Sequence, residues 1–249
     1  MTTHILIELA VIAICLTAGG VLKGATGAGA PVVAVPALAA FFDVRFAVMV
    51  MLMPNLLTNA WQVFRFRELL PERSFLIPLL VGGGIGICVG TFALKTLSSD
   101  TLSLFVAAAV FGYIGLRLAR PHWTLPMSLA KKAAFPAGIG AGILQGAAGL
   151  SAPVSITFLN AIQMGRERFI ATISAFFTTF TSVQVIAVAW AGLLRPAELA
   201  YSFGALALVS AGMPLGEWIA RRISAKTLDR IILGTLCVLA VKLVFDALA

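Results

Sequence analysis

Apolar residues along this chain come in long, nearly unbroken runs, not in the narrow stripes of a half-buried soluble element. Five runs fill each half. In the first they cover roughly 5–22, 31–42, 45–64, 74–95 and 101–119, and in the second roughly 133–146, 150–163, 168–192, 199–220 and 229–248. Charge, proline and glycine collect in the breaks, as in FDVR at 42–45, RFRELLPERS at 65–74, GRER at 165–168 and RRISAK at 221–226. A bilayer core takes about 20 helical residues to cross. The pattern therefore predicts an all-α, polytopic membrane helix bundle. The first run contains Glu8 and has no basic segment before it, so it is expected to stay as a helix and not be removed as a leader.

The two halves resemble each other. KGATGAGAPV at 23–32 matches QGAAGLSAPV at 145–154, a spacing of 122 residues that also sets Gln62 on Gln184. Further on the spacing is 126, where LSSDTL at 97–102 matches ISAKTL at 223–228 and Gly86-x-x-x-Gly90 matches Gly212-x-x-x-Gly216. Weak internal repeats of this kind are common in secondary transporters. The expected division is a first membrane repeat over 1–121 and a second over 122–249, together one transmembrane domain.

Composition agrees with the pattern. Hydrophobic residues make up 60% of the 249 residues and charged residues 11%, against about 25% charged in soluble domains. The net charge of +8 does not point to nucleic acid, because the basic residues sit in the breaks, where they orient a membrane protein. Arg65, Arg67 and Arg73 lie in one break and Arg117, Arg120, Lys131 and Lys132 in another. Two helices separate these breaks, so both face the cytoplasm. Arg221, Arg222, Lys226 and Arg230 form a third basic break, yet its repeat counterpart near Lys95 and Asp100 falls outside. The repeats are thus expected to be of inverted topology. Each would hold a Gly-rich broken or re-entrant helix pair plus three spanning helices, with both termini outside. Cys15, Cys88 and Cys237 are scattered within apolar runs and suggest neither a disulfide framework nor a zinc site.

The chemistry is expected at the glycine-rich breaks. Gly24, Gly27 and Gly29 precede Pro31, and Gly146, Gly149 and Ser151 precede Pro153. Glycine permits an unwound backbone and close approach of a ligand, and proline suits the first turn of the next helix. Two inverted short helices with exposed N–H groups would make an anion site. Such glycine runs also serve close helix packing. The repetition, with proline at the matched place, favours a binding role here, whereas the two Gly-x-x-x-Gly pairs read as packing faces that also permit a homodimer. Asn55, Thr58, Asn59 and Gln62 share one helix face, and Thr178, Thr181, Ser182 and Gln184 occupy the corresponding helix. Among these, Asn55, Asn59, Gln62 and Gln184 are read as lining a path, the Ser and Thr residues chiefly as helix glue. Lys23 stands where the second repeat has Gln145. A mid-membrane lysine is a functional candidate; alternatively it snorkels to an interface. His4 and His122 lie at the terminus and in a break, away from any expected path.

These residues resemble the sulfite exporter TauE/SafE family of membrane anion permeases over nearly the whole chain. The family's glycine motif reads here Gly20, Gly24, Gly27, Gly29, followed by Val35-Pro36, with Ala30 in place of the usual final glycine. The second copy reads Gly142, Gly146, Gly149, with Ser151 and Ala152 replacing the last two. The resemblance implies an inner-membrane permease for a small, often sulfur-containing anion such as sulfite, an organosulfonate or thiosulfate.

The leading expectation is a secondary anion transporter working by alternating access, not an enzyme, with no cofactor and no metal. Its substrate site would comprise Lys23, Gly24, Gly27, Gly29, Pro31, Asn55, Asn59, Gln62, Gln145, Gly146, Gly149, Ser151, Pro153, Thr178, Thr181 and Gln184. No GxxxxGK[ST] sequence is present to bind ATP. Two alternatives stand beside it. Gly149-Leu150-Ser151 resembles the Gly-x-Ser of intramembrane serine hydrolases, though that chemistry needs a base within a span. A structural membrane subunit would need none of the paired breaks.

Overall fold

The computed structural model describes residues 2–119 and 124–248, and side chains apart from those of 2–8, 225, 226, 228 and 229. Arg120 and His122 lie outside the described residues, as do the side chains of His4, Glu8 and Lys226. The described chain is helical: α1 (Thr2–Thr26), α2 (Ala30–Phe41), α3 (Val44–Val50), α4 (Leu52–Phe66), α5 (Arg73–Thr96), α6 (Ser99–Ala119), α7 (Met127–Ala148), α8 (Ala152–Ala161), α9 (Arg166–Trp190), α10 (Pro196–Ala220) and α11 (Ala225–Leu248). Among the described residues, seven segments are long and apolar enough to cross a membrane: 9–26, 44–69, 73–96, 99–119, 166–190, 196–220 and 230–248. Large apolar side chains face outward, Trp190 at 92% exposure and Phe245 at 72%. In water that surface would be costly; in lipid it is the ordinary exterior. This is a multi-pass membrane protein.

Both glycine-rich breaks are built alike. α1 ends at Gly27 (φ 79), whose N–H donates to the Lys23 carbonyl at 2.7 Å. α7 ends at Gly149 (φ 64), whose N–H donates to the Gln145 carbonyl at 2.8 Å. A left-handed glycine closes a helix while satisfying an orphan carbonyl. Pro31 and Pro153 then open α2 and α8, where a missing N–H costs nothing. With 12 and 10 residues, these helices measure about 18 and 15 Å, too short to cross a core of about 30 Å alone.

The third apolar run, expected as one element, is two. Pro54 has no N–H for the Val50 carbonyl, and the chain breaks at Met51 between α3 and α4. Ser202 of α10 repairs the gap. Its hydroxyl donates to the Val50 carbonyl (3.0 Å) and accepts from the Met53 N–H (2.8 Å).

Glycines let two helix pairs approach closely. α5 lies on α7, with Gly82, Gly86 and Gly90 meeting the backbone near Phe135, Ile139 and Ile143 in turn. α1 lies on α10, with Gly20 and Gly24 against Val209 and Met213. Position rises together in both, so each pair is parallel. Glu72 and Lys131, at the starts of α5 and α7, form an exposed ion pair at 2.5 Å, and Lys131 holds the Glu72 carboxyl below its usual range. The Gly-x-x-x-Gly pairs are thus packing faces, as expected, but they are used within the chain. Gly86 and Gly90 meet α7, and Gly212 and Gly216 meet α1. They offer no surface to a second copy, and that argument for a homodimer lapses.

α4 and α9 cross antiparallel, since Asn55 meets Thr181 while Gln62 meets Ser174. α1 and α2 form a hairpin opening toward the end of the bundle where Arg45 of α3 reaches the Leu94 carbonyl and Ser99. α7 and α8 form a hairpin opening toward the other end, where Asn160 and Arg166 lie close to Arg117.

Candidate functional site

Along α4, Trp61 and Phe64 face outward while Asn55, Thr58, Asn59 and Gln62 are buried. That inner face meets α9, and the last turn of α1 lies beside it. The result is a polar column through the middle of an apolar bundle. Near one end Gln62 Oε1 accepts from Ser174 Oγ at 3.0 Å. Deeper, Lys23 Nζ donates to Asn59 Oδ1 at 2.7 Å. Asn59 Nδ2 donates in turn to Asn55 Oδ1 at 2.8 Å, and Asn55 Nδ2 to Thr181 Oγ1 at 3.0 Å. Beyond these, Gln145 Nε2 donates to Gln184 Oε1 at 3.3 Å and Gln184 Nε2 to the Gln145 carbonyl at 3.0 Å.

The column has a direction. An ammonium only donates, so it fixes the Asn59 oxygen toward itself. The Asn59 amide nitrogen must then face Asn55, whose own nitrogen faces Thr181. One buried cation thereby orients every amide up to the Thr181 hydroxyl.

Lys23 is the chemical centre of the arrangement. It is 1% exposed, and its partner is the neutral Asn59; no described carboxylate pairs with it. An uncompensated buried charge costs several kcal/mol, so Lys23 does not snorkel to an interface and stability alone does not account for it. Its Nζ is bonded to Asn59, which lies within a turn of the midpoint of the 44–69 segment.

A cavity of about 410 Å³ leads from one end of the bundle to this lysine. Lys23, Gly24, Gly27 and Gln62 line it, with Arg65, Arg166 and Arg221 toward the mouth. Glu167 and Glu217 are its acidic residues, so its lining carries four basic groups against two. Trp61, Phe66, Ile170 and Met213 supply apolar wall. The arrangement can draw in an anion and desolvate it against Lys23 and the Gln62 amide, whereas Asn55 and Asn59, expected to line a path, border neither cavity. A second cavity, of about 460 Å³, lies across the α1–α2 turn and shares Arg166. Gly29 borders it, and its walls are largely apolar, with Leu22, Val32, Ile156 and Phe169.

The remaining expected residues are distributed differently. Pro31, Gly146, Gly149, Ser151 and Pro153 are buried and line neither cavity. The starts of α2 and α8 do not meet around one point. A side chain at Gly149 would touch Val35, well inside α2, while Gly29 shares its cavity with Leu159 and Asn160 at the far end of α8. Thr178 is half-buried with its hydroxyl unpaired, and Ser182 is exposed. Ser151 bonds to Ser155 Oγ (3.2 Å), a hydroxyl and not a base. Sequence reading missed Ser174, an ordinary hydroxyl within a run, and the cavity roles of Arg65, Arg166 and Arg221, which look like loop charges. The repeat is also only half kept in this region: the counterparts of Asn55 and Thr58 are Phe177 and Phe180, both buried, with Phe180 filling the notch at Gly83.

No curated protein and no solved structure matches the chain. A family model described as Sulfite exporter TauE/SafE matches residues 11–243. That span takes in both glycine breaks, the lysine and the whole polar column, and by it the chain belongs to the sulfite exporter TauE/SafE family of membrane anion permeases.

Proposed function

We propose that this chain is a secondary permease for a small anion of the sulfur-containing kind, sulfite, an organosulfonate or thiosulfate, working by alternating access. The observation that carries the reading is Lys23, a buried cation without a described carboxylate partner at the floor of a basic cavity. An anion arriving there would supply the missing counter-charge. Gln62, Asn59 and Asn55 would exchange their mutual hydrogen bonds for bonds to its oxygens, and the backbone at Gly24 and Gly27 would let it approach.

Two inverted-topology repeats, divided near residue 121, supply the moving parts. The antiparallel crossing of α4 and α9, the matched pairs α1–α10 and α7–α5, and the opposed hairpins all support that division. The conformation described is open at the end that carries Arg65, Arg166 and Arg221. By the positive-inside rule that end faces the cytoplasm, which puts both termini outside in an inner membrane. Rocking of the repeats about the column would close this cavity and open its counterpart near Gln145 and Gln184. Membership of a transporter family and the lack of a base at Ser151 both weigh against an enzyme.

The test is thermal stabilisation of the purified protein by sulfite, thiosulfate, sulfate, sulfoacetate, taurine and carboxylates, because a ligand bound only by the native state raises its apparent stability. Saturable stabilisation by a sulfur oxyanion, lost in a folded Gln62→Ala protein, is expected. Stabilisation by cations or neutral solutes alone would sink the anion assignment.

A further inference from the structure

Positions 23 and 145 are equivalent in the repeat reading proposed above, on which this inference rests. Each lies four residues before the left-handed glycine that closes its helix, and each carbonyl accepts that glycine's N–H. Each side chain reaches across to the long polar helix, Lys23 to Asn59 of α4 and Gln145 to Gln184 of α9. The last turn of a helix is its electronegative end. In the first repeat an ammonium is covalently present there. In the second the side chain is a neutral amide.

The hydrogen bonds fix which atom of Gln145 is left over. Gln184 Nε2 donates to the Gln145 carbonyl, so Gln184 Oε1 must be the atom that meets the Gln145 side chain. Only Gln145 Nε2 can donate to it. Gln145 Oε1 is therefore turned away, and it has no hydrogen-bond partner although the residue is 3% exposed. The Thr91 hydroxyl on α5, in a residue also 3% exposed, has no partner either. Thr91 adjoins this turn: its backbone nitrogen lies 2.8 Å from where a β-carbon on Gly146 would stand. A buried acceptor left unpaired costs about 1–3 kcal/mol, and here two such oxygens belong to helices in close backbone contact.

We infer that the last turn of α7 binds a monovalent alkali cation, Na+, with Gln145 Oε1 and Thr91 Oγ1 among its ligands, in the place the Lys23 ammonium takes in the first repeat. The donors are neutral oxygens at a helix C-terminus, a setting that suits Na+. A divalent ion would need carboxylates, and neither ligand residue is one. The two halves then differ in kind. Lys23 is a cation that never leaves, so it compensates the anion without carrying charge across. Na+ at Gln145 exchanges with solution, and its binding would link the anion step to the Na+ gradient.

The experiment uses the purified full chain without any transported anion. NaCl replaces N-methyl-D-glucamine chloride at constant total salt while the melting temperature is followed. A saturable rise with Na+ is expected. Gln145→Lys, which builds the ammonium in, should not respond to Na+. Thr91→Val, which keeps the shape, should raise the half-saturating Na+ concentration at least tenfold. Equal melting of the wild type in both salts would overturn the inference and leave water as the partner of these oxygens. So would an undiminished Na+ response in both variants. Repeating the anion series in N-methyl-D-glucamine separates the two readings. Stabilisation by an anion without any effect of Na+ would sink this site and leave the permease standing.

Discussion

Replacing Lys23 by methionine keeps an unbranched side chain of similar length and removes only the charge. Two consequences of opposite sign follow. The substitution leaves Asn59 Oδ1 without its 2.7 Å donor, at a cost of about 1–3 kcal/mol. It also removes an ammonium that is 1% exposed and has no described carboxylate beside it, relieving a desolvation penalty of several kcal/mol. The relief equals or exceeds the cost, so the variant should melt at or above the wild-type temperature. Anion binding should collapse. A charge pair about 4 Å apart at an effective dielectric near 20 is worth about 4 kcal/mol, close to a thousandfold in affinity. The assay is titration of the best-binding anion into wild-type and Lys23→Met protein, with melting curves of both. A folded variant that binds within threefold of wild type would refute the counter-charge reasoning, as would a variant that simply unfolds.

The packing makes two further predictions. Gly24→Val should prevent folding or lower the melting temperature severely, because a β-carbon there would stand 2.0 Å from the Met213 carbonyl oxygen, whereas Gly140→Ala, with nothing within 4 Å, should be neutral. Ser202→Ala should cost about 2–4 kcal/mol by leaving the Val50 carbonyl and Met53 N–H unpaired. In a Pro54→Ala background it should cost less, because residue 54 regains an N–H for Val50, and a double-mutant cycle by chemical denaturation measures that coupling.

Much of this is legible in one dimension. Run length and composition determine a helical membrane protein, and the Gly-Pro breaks determine where α1 and α7 stop and where α2 and α8 start. These are local matters: transfer of apolar surface to lipid, and backbone angles that glycine allows and proline fixes. The Gly-x-x-x-Gly pairs are recognisable as packing faces for the same reason, since the lack of a side chain is written in the residue itself. Their partners are not. Whether Gly86 meets α7 or a second copy depends on how helices distant in sequence come together.

The polar column divides in the same way. The i, i+4 spacing alone puts Asn55 and Asn59 on one helix face. Only the tertiary fold brings Lys23 to Asn59, Asn55 to Thr181 and Ser174 to Gln62, separated by 36, 126 and 112 residues. It also sets the starts of α2 and α8 apart, where their matching motifs suggested a meeting. A motif specifies the shape of its own turn, but the distance between two turns is set by the packing of everything between them. So the sequence by itself determined which residues are too polar to face lipid, through their chemistry. The bundle decided which of them face one another, because hydrogen-bond partners are chosen by position in space.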